Sequence, residues 1–190
     1  ARILQPPFFD SEADPALNYG AIGAVIGHEL LHGFDDSGSR FDAQGNMRNW
    51  WTEEDRKRFE ERTGRLVNQY NAYRTVGLNL NGKLSLGENI GDLGGITVAY
   101  DALKARLARE PVGEIDGLTQ EQRFFAAWSQ VWRVNMRQER LRLQVQNGPH
   151  APGQFRGKGP LVNVPAFAEA WGCKPGDPMV AGDDTRVAIW

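Results

Sequence analysis

The residues best placed to do chemistry are His28-Glu29-Leu30-Leu31-His32. On an α-helix, residues four apart lie on one face, so His28 and His32 can bind one metal ion while Glu29 reaches a water on that metal. The chain has three histidines, and two of them fall in this stretch. The pattern is that of a zinc peptidase helix.

Catalytic zinc takes three protein ligands and leaves a fourth position to water, so a third ligand is needed. The metzincin arrangement requires glycine at 35 and histidine at 38, where the sequence has Asp35 and Gly38, and is excluded. Glu88-Asn89-Ile90-Gly91-Asp92 is a better source. Glu88 and Asp92 are four apart on a predicted helix, where like charges repel by a few tenths of a kcal/mol unless a positive charge lies between them. One Zn²⁺ ion would supply it. Glu88 would then bind the metal, and Asp92 would accept the free ring N–H of a ligand histidine.

The elements that must position these groups read as mostly helical. A first helix is expected from Asp14-Pro15 to about Phe34, with proline in its first turn. Its stretch from Gly20 to Gly27 is apolar all round, which predicts a buried central helix. Three glycines there point to close packing, since each costs about 1 kcal/mol against alanine in a helix. A loop over residues 35–49 leads to a second helix opening at Thr52, with Phe59, Thr63, Leu66, Tyr70 and Tyr73 at helical spacing. A third helix is expected from about Leu86 to Leu107, and a fourth from the capping-box pattern at Thr119 through Phe124, Trp128 and Trp132. Residues 146–164 read as Gly/Pro-rich loop, followed by a short helix from about Pro165 to Trp171. The aromatics Trp50, Trp51, Phe124, Phe125, Trp128 and Trp132 are expected in the core.

At 190 residues, 41% hydrophobic and 24% charged, the chain suits one globular core, or part of one. A net charge of −2 recommends neither nucleic acid nor an anionic membrane as partner. The one basic run, Arg133, Arg137, Arg140 and Arg142, reads as a solvated helix face. No segment approaches the ~20 apolar residues of a membrane span. A single cysteine, Cys173, precludes a disulfide within the chain. The opening Ile3-Leu4-Gln5-Pro6-Pro7-Phe8-Phe9, so close to Ala1, reads as the interior of a longer protein. The loop over residues 42–53 is excluded as a calcium loop by Met47, which stands where glycine must turn the chain.

Three blocks in order closely resemble the neprilysin-like (M13) zinc metallopeptidases. They are His28 to Asp36 (HELLHGFDD), Gly87 to Gly95 (GENIGDLGG) and His150 to Arg156 (HAPGQFR). The resemblance covers nearly the whole chain and includes Leu4 to Phe9 and the terminal Trp190. It implies a mainly α, α+β zincin-like fold with little sheet in this portion. It further implies one zinc ion held by His28, His32 and Glu88, with Glu29 as general base. By the same resemblance His150 hydrogen-bonds the tetrahedral intermediate, Arg156 grips a substrate carbonyl, and Asp92 orients a ligand histidine. Asp35 matches less closely a similar role on the other side, since Asp35 and Asp36 also suit a helix end and turn. Oligopeptides would be the substrates, and a periplasmic or cell-envelope location is the family's tendency.

Departures from the family pattern matter as well. The Asn-Ala-aromatic substrate strand that precedes the family's zinc helix is absent; Asn71-Ala72-Tyr73 lies after that helix and on a predicted one. The family's capping helical domain would also lie upstream. Gly148 stands where the family usually has an acidic residue two before the histidine, and Val187 stands where animal members have cysteine, which points to a bacterial-type member. The expected chain is therefore the C-terminal part of a catalytic domain. The competing reading is a non-catalytic, peptide-binding module that lacks the upstream half of the site. Zinc as a purely structural ion would need a fourth protein ligand, and no spare histidine or paired cysteine is available.

Overall fold

The structure is a computed structural model in which residues 3–189 are described; Ala1, Arg2 and Trp190 lie outside them. The first helical stretch opens with α1, Pro15–Asn18, with Asp14 at its N-cap and proline in its first turn. It passes through a π-helical turn, Tyr19–Gly23, into α2, Ala24–Leu31, and ends in a 3₁₀ turn, His32–Phe34. The single helix expected from Pro15 to Phe34 is thus present, with a π segment that periodicity does not reveal.

α3, Glu53–Asn71, begins where Thr52 accepts a hydrogen bond from the Asp55 N–H, and three acidic residues in its first turn favour the helix dipole. It buries Phe59, Thr63, Leu66 and Tyr70 of the expected stripe, whereas Tyr73, its fifth member, lies beyond the helix end and is half-buried. A two-stranded antiparallel hairpin follows, β1 (Arg74–Thr75) and β2 (Leu78–Asn79), with Thr75 opposite Leu78. Its turn residues Val76 and Gly77 have φ of 48° and 79°, the left-handed pair that two-residue hairpins require.

α4, Leu86–Arg109, is the central helix and buries every residue from Asn89 to Ile96, together with Leu86, Ala99 and Leu103. α5, Gln120–Val131, starts with a complete capping box between Thr119 and Gln122 and brings Phe124, Phe125 and Trp128 into the core. α6, Gln138–Asn147, and α7, Gly153–Lys158, follow. α7 and the 3₁₀ turn Leu161–Asn163 occupy the stretch read from sequence as loop. α8, Pro165–Trp171, has the expected bounds and stops at Gly172, whose φ of 63° gives the usual left-handed cap.

The contact that positions the candidate site is the crossing of α2 and α4. A Cβ on Gly95 would lie 2.5 Å from the His28 nitrogen and 2.6 Å from the Ala24 oxygen, and one on Gly27 would lie 2.9 Å from the Gly95 oxygen. The two backbones therefore touch, and only glycine permits it. α2 is not buried all round: Ile26 and Leu30 are 55% and 68% exposed, because α4 covers only its opposite side. Of the aromatics expected in the core, Trp50 is exposed. Among the described residues the only sheet is the small hairpin, so the fold is helix-dominated, as expected.

Candidate metal centre

α2 delivers His28 from its last turn, and His32 follows at its C-cap with helical backbone angles, so the two rings remain one turn apart. Their centroids are 4.6 Å apart and nearly perpendicular. Glu88, in the first turn of α4, faces both. His28 Nε2 lies 3.3 Å from Glu88 Oε2, and His32 Nε2 lies 3.7 Å from Glu88 Oε1. One ligand atom from each of the three residues falls within 4.8 Å of the others.

Each ring has its other nitrogen against an aspartate. His32 Nδ1–H donates to Asp35 Oδ2 at 2.8 Å, while Asp35 Oδ1 accepts from the N–H groups of Ser37 and Gly38 at 2.7 Å each. His28 Nδ1 lies 2.9 Å from Asp92 Oδ1, close in distance but out of line for a well-directed hydrogen bond. Asp92 is fully buried and is gripped from its far side by Arg156, whose Nε and Nη2 donate to its two oxygens at 2.8 and 2.6 Å. Arg156 sits on α7, 7% exposed, with its guanidinium 3.9 Å from the centre of the Trp132 ring. It is therefore neither a loop residue nor a surface salt bridge, the two ordinary fates a sequence suggests for it. The Asp35 contact is the feature that sequence reading underweighted; its one signal is the three-residue spacing from His32.

His150 precedes α7 and brings its Nε2 to 3.1 Å from Glu88 Oε2, with its own side chain half exposed. All three histidines of the chain thus converge on one carboxylate. Glu29 is exposed and lines a cleft of about 400 Å³ together with His28, His32, Glu88, His150 and Arg156.

The electrostatics follow from this crowding. Burial works against a charged His28, but the close carboxylates of Asp92 and Glu88 outweigh it and raise the imidazole to about 9. Burial likewise works against a charged Glu88, and His28, His150 and Arg156 overcome it and hold the carboxyl below its usual range.

Zinc fits these residues on two grounds. Glu88 Oε2 is buried and has no directed hydrogen bond, only nitrogens around it. Around a tetrahedral ion with bonds of about 2.0–2.1 Å, neighbouring ligand atoms sit about 3.3 Å apart, and the observed separations from Glu88 are of that order. A set of two imidazoles and a carboxylate suits Zn²⁺.

Fold and site together define a helix-borne HExxH centre in a zincin-like protein. Residues 1–187 match the model of peptidase family M13. The chain is 45% identical to Neprilysin-1 of Caenorhabditis elegans, with all of this chain and 26% of that protein aligned. It is 43% identical to Neprilysin-3 of Drosophila melanogaster, again over the whole chain and 24% of the relative. The crystal structure of the zinc metalloprotease Zmp1 of Mycobacterium tuberculosis superposes with a TM-score of 0.95 at 45% identity, covering 99% of this chain and 30% of that one. The chain belongs to peptidase family M13 and spans about a quarter of the length of these relatives.

Proposed function

We propose that this chain carries the metal-binding part of a zinc-dependent endopeptidase active site that hydrolyses oligopeptides. The observation that carries the reading is the convergence of His28, His32 and Glu88, each imidazole backed by its own aspartate. His28 and His32 would hold one zinc ion through Nε2, and Glu88 through its carboxylate. When bound, zinc acidifies a water and polarises the scissile carbonyl.

The chain's own groups do the rest. Glu29, exposed in the cleft, accepts a proton from the attacking water and passes it to the leaving amine, as one carboxylate can serve both steps. His150 donates from Nε2 to the oxygen on which charge develops, a bond that strengthens as the reaction proceeds. Asp92 and Asp35 hold the imidazoles of His28 and His32 in orientation. Arg156 is locked by Asp92 through Nε and Nη2, leaving Nη1 outside that fork for a peptide carbonyl.

On this reading residues 1–190 form the C-terminal part of a catalytic domain whose substrate strand and helical cap lie upstream. The upstream portion of the same enzyme is then the partner this chain requires, alongside its peptide substrates. Glu29→Gln, made in the enzyme that carries this chain with its upstream portion, tests the reading: zinc content by mass spectrometry stays at one ion per chain, while cleavage of a mixed peptide set falls by about a hundredfold to ten-thousandfold, the contribution of general acid–base groups. Unchanged cleavage would remove Glu29 from the mechanism. An inert zinc-bound protein that binds peptides equally well with either residue would favour the binding-module reading.

A further inference from the structure

Next to the candidate metal cleft lies a larger cavity of about 690 Å³ that shares Trp132, His150 and Arg156 with it. Val134, Met136 and Leu143 give it apolar walls, and Arg140 of α6 also lines it. No aspartate or glutamate does, whereas the metal cleft is lined by Glu29, Glu88 and Asp92. Arg156 is already neutralised by Asp92. Arg140 is exposed and takes part in none of the ion pairs among the described residues. One member of the arginine run read from sequence as a solvated face therefore borders a cleft continuous with the reacting groups.

We infer that this cavity is a substrate subsite for a peptide segment with an apolar side chain and a nearby carboxylate, and that Arg140 selects the carboxylate. The inference rests on the peptidase reading and adds to it a substrate preference. Apolar walls bury the side chain; an unpaired guanidinium in a cavity without acidic lining attracts the negative charge. The carboxylate comes either from a glutamate or aspartate side chain or from the peptide's C-terminus. An exposed pair of this kind changes affinity by about twofold to fivefold and weakens with salt.

The test uses zinc-loaded Glu29→Gln protein, which holds peptides uncleaved, in isothermal titration calorimetry. The probes are acetylated hexapeptides with a central Leu-Phe. One series moves a single glutamate through the flanking positions, each paired with its glutamine twin; another pairs a free C-terminal acid with its amide. The expected result is a twofold to fivefold gain for one carboxylate register that fades in 0.5 M NaCl and disappears with Arg140→Gln, while the neutral twins bind as before. Arg142→Gln keeps the gain, because Arg142 donates instead to the Val76 carbonyl. A gain confined to free acids places the peptide C-terminus in the cavity, and a gain for one glutamate register places a side chain there. No gain, or a gain that survives Arg140→Gln, overturns the subsite. Absence of binding by every peptide, neutral twins included, overturns the subsite, while the peptidase reading stands or falls separately on the Glu29→Gln cleavage comparison.

Discussion

At the scale of single residues, the aspartates behind the imidazoles matter as much as the ligands in front. Asp35 is held rigidly by two backbone N–H groups and turns its remaining oxygen to His32. Losing such a partner costs about 10–100-fold in metal affinity. Asp35→Ala is therefore expected to weaken zinc binding by that factor in competition with a chelating dye, and an unchanged affinity would return Asp35 to the role of a simple turn residue. Protons compete for the same site. The metal-free His28 imidazole, raised to about 9 from 6.5, stabilises the fold fully below pH 6.5 and loses that contribution as pH rises through about 9. Glu88, held low, contributes above its unfolded pKa and loses its share as pH falls through the lowered folded value. Zinc must displace the His28 proton, so its apparent affinity climbs with pH up to about 9. Melting curves between pH 6.5 and 9 should thus show the metal-free protein losing stability while the increment from added zinc grows; parallel curves would refute the coupling.

At the scale of elements, the α2–α4 crossing fixes how far Glu88 stands from the two histidines. A methyl at Gly95 would press on the backbone of His28 itself. Gly95→Ala should cost about 1–3 kcal/mol in urea unfolding and weaken zinc binding as well, because overpacking here moves a ligand. Gly64→Ala is the contrast. It lies in the interior of α3 with nothing within 4 Å of the new methyl, so it should stabilise by about 0.5–1 kcal/mol and leave zinc binding alone. Much of this level was legible in the sequence, since caps and apolar spacing mark α3, α4, α5 and α8 directly. α7 was not. Its six residues include two glycines and lack a side-chain cap, and local propensity cannot announce a helix held by tertiary contacts. Those contacts are the Phe155 ring stacked on Tyr73 at 4.9 Å and the Arg156–Asp92 fork. The π turn before α2 was hidden for a related reason: it keeps the helical run and changes only its winding. The candidate site was legible where spacing within one helix defines it, at His28, Glu29 and His32 or at Glu88 and Asp92. That Asp92 meets the His28 ring depends on the crossing of two helices, which no single stretch records.

At the scale of the whole molecule, the candidate catalytic helix is covered on one side only. Ile26 and Leu30 are spaced four apart and are 55% and 68% exposed, forming an apolar stripe beside the exposed Glu29. Apolar periodicity predicted a fully buried helix at this point; the stripe is what that burial would require from elsewhere. The α4 side satisfies it by glycine contact, and on the proposed reading the opposite side is left to the upstream portion of the enzyme. An uncovered stripe of this kind favours association, since contiguous apolar surface gains by leaving water. The isolated chain is therefore expected to self-associate at tens of micromolar in analytical ultracentrifugation, and the double substitution Ile26→Gln with Leu30→Gln should return it to a monomer. Zinc should remain at one ion per chain in both proteins, because neither residue lines the metal cleft. A wild-type chain that stays monomeric over that range would show that the stripe is tolerated in water, and the case for a covering partner would then rest on family membership alone.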